Sequence, residues 1–328
     1  MSPQRAEEWC AAVRTGDRRA VAKTITLLES TRPEDAHFAE QLLEGLVPAS
    51  GRAIRLGITG PPGVGKSTLI EALGLHLVAQ GQRVAVLAVD PSSPVSGGSI
   101  LGDKTRMERL ALSDAAFIRP SPSGGTLGGV AQRTREAMLV CEAAGFDVVI
   151  VETVGVGQSE IGVHAMVDFF AVLLQPGAGD QLQGMKRGVL ELADALVVTK
   201  ADGDQKALAD RTRVEHAQAL ELLRPPSHAW TPRVTATSAR TGEGVTELWD
   251  LVLAHRQALE GSGELQARRA AQARDWMWSL VQEGLERRFR AHPAVAGQIL
   301  ALEREVESQR TTPAAAARLL LEAFEKGR

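Results

Sequence analysis

The sequence predicts a doubly wound α/β protein of the P-loop NTPase class, with a mostly parallel sheet and helical extensions at both ends. Three observations predict it. Short apolar runs alternate with helical stretches from residue 54 to about 260. The runs are apolar at nearly every position, as strands covered by helices on both faces must be. A glycine-rich turn with a lysine and two hydroxyls, GPPGVGKST, follows the first run and opens a helical pattern.

Taken in order, residues 1–50 read as a helical segment, with Val21, Ile25, Leu27 and Leu28 at helical positions and a stop at Thr31-Arg32-Pro33. Residues 51–260 hold the nucleotide-binding domain. Its β-rich runs are 53–59, 83–90, 115–120, 147–153, 169–175, 195–200 and 233–239. GSGE at 261–264 reads as a flexible link. Residues 261–328 contain no β-run and form a helical arm. Its first helix carries Trp276, Trp278, Leu280, Val281, Leu285 and Phe289; two more helices follow His292-Pro293.

Composition excludes several classes. A net charge of −3 suggests no nucleic-acid surface. The absence of tyrosine and the 4% aromatic content weaken any stacking platform. Cys10 and Cys141 lie far apart without metal-ligand spacing, which fits a reduced, cytoplasmic protein. The N-terminus is polar, unlike a secretory signal, and no apolar run approaches the roughly 18 residues of a membrane span.

Gly60-Pro61-Pro62-Gly63-Val64-Gly65-Lys66-Ser67 matches G-x-x-x-x-G-K-[ST] in its required context, between a strand and a helix. Inward-turned backbone N–H groups form an anion nest, and glycine removes the side chains that would block it. The helix N-terminus adds its dipole. The prolines cannot donate, so the donors fall to Gly63, Val64, Gly65, Lys66, Ser67 and Thr68. Lys66 reaches the β- and γ-phosphates, and the Ser67 hydroxyl ligates Mg²⁺. That ion prefers oxygen donors with one or two carboxylates. Asp90 and Glu152 end neighbouring β-runs where they face the phosphates, and Asp103 lies on a glycine-rich loop able to fold over the site.

Thr199-Lys200-Ala201-Asp202 follows one run and Ser238-Ala239-Arg240 follows the last, resembling the guanine-recognition pair of GTPases. Asp202 accepts from the ring N–H and exocyclic amine of guanine. Adenine lacks both donors there, a rejection worth ~10⁴-fold. The Lys200 stem lies along the base, and the Ser238–Arg240 backbone donates to the guanine carbonyl. Thr199 offers fewer contacts than the commoner asparagine, which softens affinity. Glu152-Thr-Val-Gly155 stands where many GTPases have D-x-x-G, and Gly155 N–H contacts the γ-phosphate. Val156 follows, where Ras-like enzymes place a water-orienting glutamine. Intrinsic hydrolysis is therefore expected to be slow, with Gln158 a substitute of unknown reach. The loop Gln175 to Gly188 offers Asp180, Gln183 and Lys186 to nucleotide or partner.

GPPGVGKST, AVDPSSPVSGGSILGDKTRM, RPSPSGGTLGG, ETVGVGQSE, PGAGDQLQGMKRG and TKADG occur in that order. Together they closely resemble the MeaB (ArgK-like) GTPases, bacterial relatives of the human methylmalonic aciduria type A protein. The likeness covers nearly the whole chain. It implies a G-protein chaperone of an adenosylcobalamin-dependent acyl-CoA mutase, usually methylmalonyl-CoA mutase, that gates cofactor loading and protects the mutase. By resemblance, Asp90 and Asp103 fall in a first switch, Glu152–Glu160 in a second and Gln175–Arg187 in a third. Through the third, the mutase stimulates hydrolysis. Homodimers joined by the C-terminal helices are also implied. Thr199 departs from the family's usual asparagine.

Three rivals remain. A nickel-insertion metallochaperone GTPase would need C-x-x-C or a histidine-rich tract, and the seven histidines are scattered. An ArgK-like transport-linked kinase or ATPase conflicts with Asp202. A nucleotide-gated adaptor that merely binds differs only in turnover.

Overall fold

The computed structural model describes residues 3–30, 32–89, 107–120, 127–153, 159–177, 187–221 and 227–326. All seven β-rich runs form strands: β1 (Ile54–Thr59), β2 (Val84–Val89), β3 (Ala116–Arg119), β4 (Val148–Thr153), β5 (Phe169–Leu174), β6 (Ala195–Val198) and β7 (Arg233–Ala236). They pair in parallel in the order β3-β2-β4-β1-β5-β6-β7. The central strands β2, β4 and β5 are buried at every position. Their apolar runs lack polar alternation because both faces are covered.

Alternation decides which face each residue serves. Val149 and Val151 of β4 point into one half of the core, Val148 and Ile150 into the other, and Phe170 and Phe169 divide the same way. The first half is completed by helices α1 (Pro3–Arg14), α2 (Arg18–Leu28) and α3 (Pro33–Leu46), which contribute Cys10, Val13, Val21, Ile25, Phe38, Leu42 and Leu46. Residues 1–50 thus share one core with the sheet. Asp17 starts α2 by accepting from the amides of Arg19 (2.7 Å) and Ala20 (2.9 Å), which holds its carboxyl below the usual range.

The second half is built on α4 (Lys66–Ala79), with Leu69, Ile70, Leu73 and Leu77 buried. The short α5 (Glu108–Ala111) packs against it, Leu110 meeting Gly74, where a Cβ would lie 2.5 Å from Leu110 Cδ2. Among the described residues, the further α-helices before the last strand are α6 (Leu127–Ala143), α7 (Ser159–His164), α8 (Arg187–Glu191) and α9 (Lys206–Glu221). After β7 comes α10 (Val245–Ser262), whose Leu248, Trp249, Val252 and Leu259 join the second half of the core.

The expected flexible link is not a link. Gly261 and Ser262 finish α10, and α11 (Glu264–Ala291) begins at once. Gly263 alone makes the junction, in the left-handed region at φ 78° that glycine adopts without strain. Contacts divide the chain into residues 1–269 and 270–328. In the second unit, α12 (Pro293–Glu307) and α13 (Pro313–Lys326) bury Val295, Leu302 and Ala316, and Phe324 meets Phe289 at a tilt and His292 edge-on. Among the described residues no helix is long and apolar enough to cross a membrane.

Candidate functional site

Thr59 ends β1, and Gly60 turns the chain at φ 154°. A Cβ at Gly60 would sit 2.9 Å from the Leu173 carbonyl and 3.2 Å from Val64 Cγ1, so the loop packs against β5 only because the residue is glycine. Gly63 (φ 74°) and Gly65 (φ 100°) are left-handed, and Gly65 caps α4. The first helical bond there runs from Leu69 N–H to the Gly65 carbonyl (2.9 Å). The Lys66, Ser67 and Thr68 amides precede it and emerge from the helix end, the arrangement that suits a phosphate. One assigned donor departs from expectation: Val64 N–H turns inward to the Pro61 carbonyl at 3.3 Å. The Lys66 ammonium, mostly buried, bridges the Gly60 (2.7 Å) and Pro61 (3.1 Å) carbonyls across the loop.

The loop after β6 is tied to the phosphate loop twice. The Thr199 hydroxyl donates to the Val64 carbonyl at 2.6 Å and lies 3.2 Å from that of Leu174. Lys200, at φ 56°, stretches its ammonium to the Gly63 carbonyl at 2.8 Å. The short Thr199 hydroxyl thus reaches the Val64 carbonyl and secures the loop. Ala201 N–H donates to Thr237 O (3.0 Å), and Thr237 N–H to Val198 O (2.8 Å), setting the last loop beside Asp202. Ser238 donates its hydroxyl to Asp202 Oδ2, and Arg240 donates Nη2–H to Oδ1 at 2.5 Å. Ser238 N–H is engaged with the Glu243 carbonyl at 2.8 Å, which removes it from the three amides expected to face a base carbonyl. Gly244 closes the loop at φ 81°, with the Ala236 carbonyl 2.1 Å from where a Cβ would stand.

On the other side of the phosphate loop, Ser67 Oγ donates to Glu152 Oε1 at 3.0 Å. Glu152 is buried at the end of β4, in register with Ala88 and Ile58 of the flanking strands. One hydroxyl and one carboxylate oxygen side by side are donors of the kind Mg²⁺ takes, with phosphate and water completing the shell. Among the described residues no group of three or more His, Cys, Asp or Glu side chains converges as a softer metal would need. Asp90, Asp103, Gly155, Val156, Gln158, Asp180, Gln183 and Lys186 lie outside the described residues.

Two contributors escaped the sequence. Thr59 and Thr153 share a 2.7 Å hydrogen bond that ties the ends of β1 and β4 where both functional loops begin. Their only signal was a hydroxyl ending each of two apolar runs. The Arg240 guanidinium is the second, since the S-A-x pattern leaves that position open. Cys10 and Cys141 are free and buried, and burial pushes both thiols up, away from reactivity.

A parallel sheet with a phosphate loop after β1, and a second loop tethered to it from β6, defines a P-loop NTPase. The chain belongs to the MeaB family: the profile described as "Methylmalonyl Co-A mutase-associated GTPase MeaB" matches residues 21–294. It is 56% identical to a probable GTPase of Mycobacterium tuberculosis over 95% of this chain and 93% of that one. It is 49% identical to the mitochondrial methylmalonic aciduria type A homolog of Mus musculus (94% and 77% covered). With the GTPase ArgK of Escherichia coli the identity is 51% (83% and 82% covered). A crystal structure described as a LAO/AO transport system kinase superposes with TM-score 0.79 at 38% identity, covering 99% of both chains.

Proposed function

We propose that the chain binds GTP with Mg²⁺, hydrolyses it to GDP and phosphate, and uses that cycle to attend an adenosylcobalamin-dependent acyl-CoA mutase. Methylmalonyl-CoA mutase is the first candidate, and adenosylcobalamin enters only through that partner. The observation that carries the base assignment is Asp202. Its carboxylate is held in place on a loop that Thr199 and Lys200 fasten to the phosphate loop. A purine seated there offers either two N–H donors, as guanine does, or none in that place, as adenine does. An adenine would leave the carboxylate desolvated and unanswered. The kinase description of the solved relative would need that penalty to be borne, so it is not extended to this chain.

The Lys66 ammonium is near enough to the loop carbonyls to transfer its hydrogen bonds to β- and γ-phosphate oxygens. The amides at the head of α4 receive the same charge. Ser67 and Glu152 would hold Mg²⁺, which supplies neutralisation of charge developing on the transferred phosphoryl group. Gly155, Asp103 and Asp90 complete the site by resemblance, as do Asp180, Gln183 and Lys186 on the partner side. Val156 cannot orient water, so turnover alone is slow and the mutase supplies what is missing. The second unit supports self-association: Trp278, Val281 and Leu285 follow helical spacing and are 56%, 40% and 59% exposed. A homodimer through these helices, in the cytoplasm, is the assembly we assign.

Single-turnover GTP hydrolysis, measured alone and with each candidate mutase, tests the proposal. Slow hydrolysis alone and at least about tenfold stimulation by one mutase is the expected result. A rate near ~10 s⁻¹ for the chain alone would refute the slow-enzyme reading. Indifference to every adenosylcobalamin-dependent mutase would refute the chaperone reading.

A further inference from the structure

We infer that the Arg240 side chain is a built-in competitor of the guanine base for Asp202, one that limits how fast nucleotide is captured. The inference rests on the guanine reading of Asp202 above. Arg240 Nη2–H donates to Asp202 Oδ1 at 2.5 Å, and the Ser238 hydroxyl takes Oδ2. The two arginine and serine contacts differ in permanence. Ser238 is fully buried and its backbone is locked by Glu243 and Gly242, whereas the Arg240 side chain is 73% exposed and Asp202 only 18%. The guanidinium swings over the Gly203 backbone, its Nη2 3.5 Å from where a Cβ of that residue would lie.

The chemistry of the two rivals is the same. The edge of guanine that faces an aspartate, ring N–H beside exocyclic amine, is itself a guanidine fragment. Arginine presents that donor pattern with a full positive charge. A carboxylate oxygen that points into a base pocket and accepts from a mobile guanidinium is therefore already answered by a mimic of the ligand. Binding requires the arginine to leave. Since an exposed ion pair is weak, it leaves easily, and the competent fraction is reduced by a small factor. Selectivity is untouched by this device, because adenine cannot replace the bonds that the arginine surrenders.

Competition of this kind has a kinetic signature. The apparent association rate scales with the fraction of molecules in which Asp202 is open, while dissociation of bound nucleotide does not involve the arginine. Stopped-flow binding of a fluorescent GDP to the full chain, wild type against Arg240→Ala, should show association about two- to fivefold faster and dissociation unchanged. The loss of a positive charge that attracts an anionic ligand acts in the opposite sense, so the measurement is repeated in the Asp202→Asn background with xanthosine diphosphate. There the arginine has no carboxylate to occupy, and its removal should bring no acceleration.

Slower or unchanged GDP association in Arg240→Ala would overturn the inference. Faster dissociation would also overturn it, because it would make the arginine a support for the carboxylate. An equal acceleration in the Asp202→Asn background would do the same. Failure of the underlying base reading looks different: Asp202→Asn would then keep its preference for GDP over xanthosine diphosphate whatever residue 240 does.

Discussion

At the carboxyl ends of the strands, Asp202 and Glu152 each meet partners that a ligand can replace: an exposed guanidinium in one case, a serine hydroxyl at the phosphate loop in the other. At the amino-terminal ends, aspartates of the same kind are shut in. Asp168 accepts Arg55 N–H (3.0 Å) and two bonds from Arg269 (2.8 and 2.6 Å) and is 6% exposed in its side chain. Asp194, 1% exposed, accepts Phe170 N–H at 2.9 Å, faces His255 Nε2 at 3.4 Å and has Arg268 at the same distance. Arg55 and Glu142 form a further bidentate pair beside them. Two populations of acids thus sit on one sheet. What separates them is the number of fixed donors and the burial of the counter-charge, not residue type. An acid whose lone pairs are all claimed by immobile groups serves the fold; one with a removable partner is available for chemistry.

The largest effect expected from testing this contrast is at the closed end. Asp168→Ala strands the Arg269 guanidinium among backbone carbonyls and should cost about 3–5 kcal/mol in urea unfolding. A loss under about 1 kcal/mol would mean that the lattice is no firmer than a surface pair. At the open end, Lys66→Ala should lower GTP turnover by about 10²–10³ while the unfolding midpoint stays near wild type. A large stability loss there would erase the distinction between the ends.

Smaller effects sharpen it. Thr199→Val removes the hydroxyl that holds the Val64 carbonyl and should weaken GTP binding about fivefold, ~1 kcal/mol, with Thr199→Ser restoring it. Equal affinity in both variants would show the tether to be idle. Acid provides the mildest probe. Burial alone would raise the Asp194 carboxyl; the His255 ring 3.4 Å away, the Arg268 charge and the Phe170 amide together reverse it and hold it low. A depressed carboxyl contributes stability that is complete above its unfolded value, near 3.9, and is lost as pH falls through its folded value. The urea midpoint should therefore drop as pH falls below about 4, and drop less steeply in Asp194→Asn. Parallel slopes would remove Asp194 from the account.

The open end was the legible one. Gly60–Ser67 stood out because phosphate geometry demands glycine and lysine at set intervals, and Asp202 because an acid follows T-K-x after an apolar run. All seven strands were visible as apolar-rich runs, most plainly β2, β4 and β5, which are buried at every position; β7 is partly exposed and carries Arg233 and Thr235. The closed end passed unread although its signal is present: Asp168 and Asp194 stand immediately before β5 and β6. Each accepts a backbone N–H, from Arg55 and Phe170 in turn. An acid at the edge of an apolar run looks like a solvated loop residue until the arginines arrive, and Arg268 and Arg269 stand 74 and 101 positions from Asp194 and Asp168 in sequence. Arg240 was singled out for its backbone, and the contact of its side chain was hidden for a different reason. Its side chain answers to Asp202 across 38 positions, and no spacing rule connects them.

The most direct measurement of the central claim is calorimetric titration, with magnesium present, of wild type and Asp202→Asn against guanosine, adenosine and xanthosine triphosphates. The account predicts that wild type takes the guanosine nucleotide and releases little or no heat with the adenosine one, and that Asp202→Asn shifts its preference to xanthosine. Adenosine triphosphate bound as tightly as guanosine triphosphate, or an Asp202→Asn protein with undiminished guanosine affinity, would contradict it.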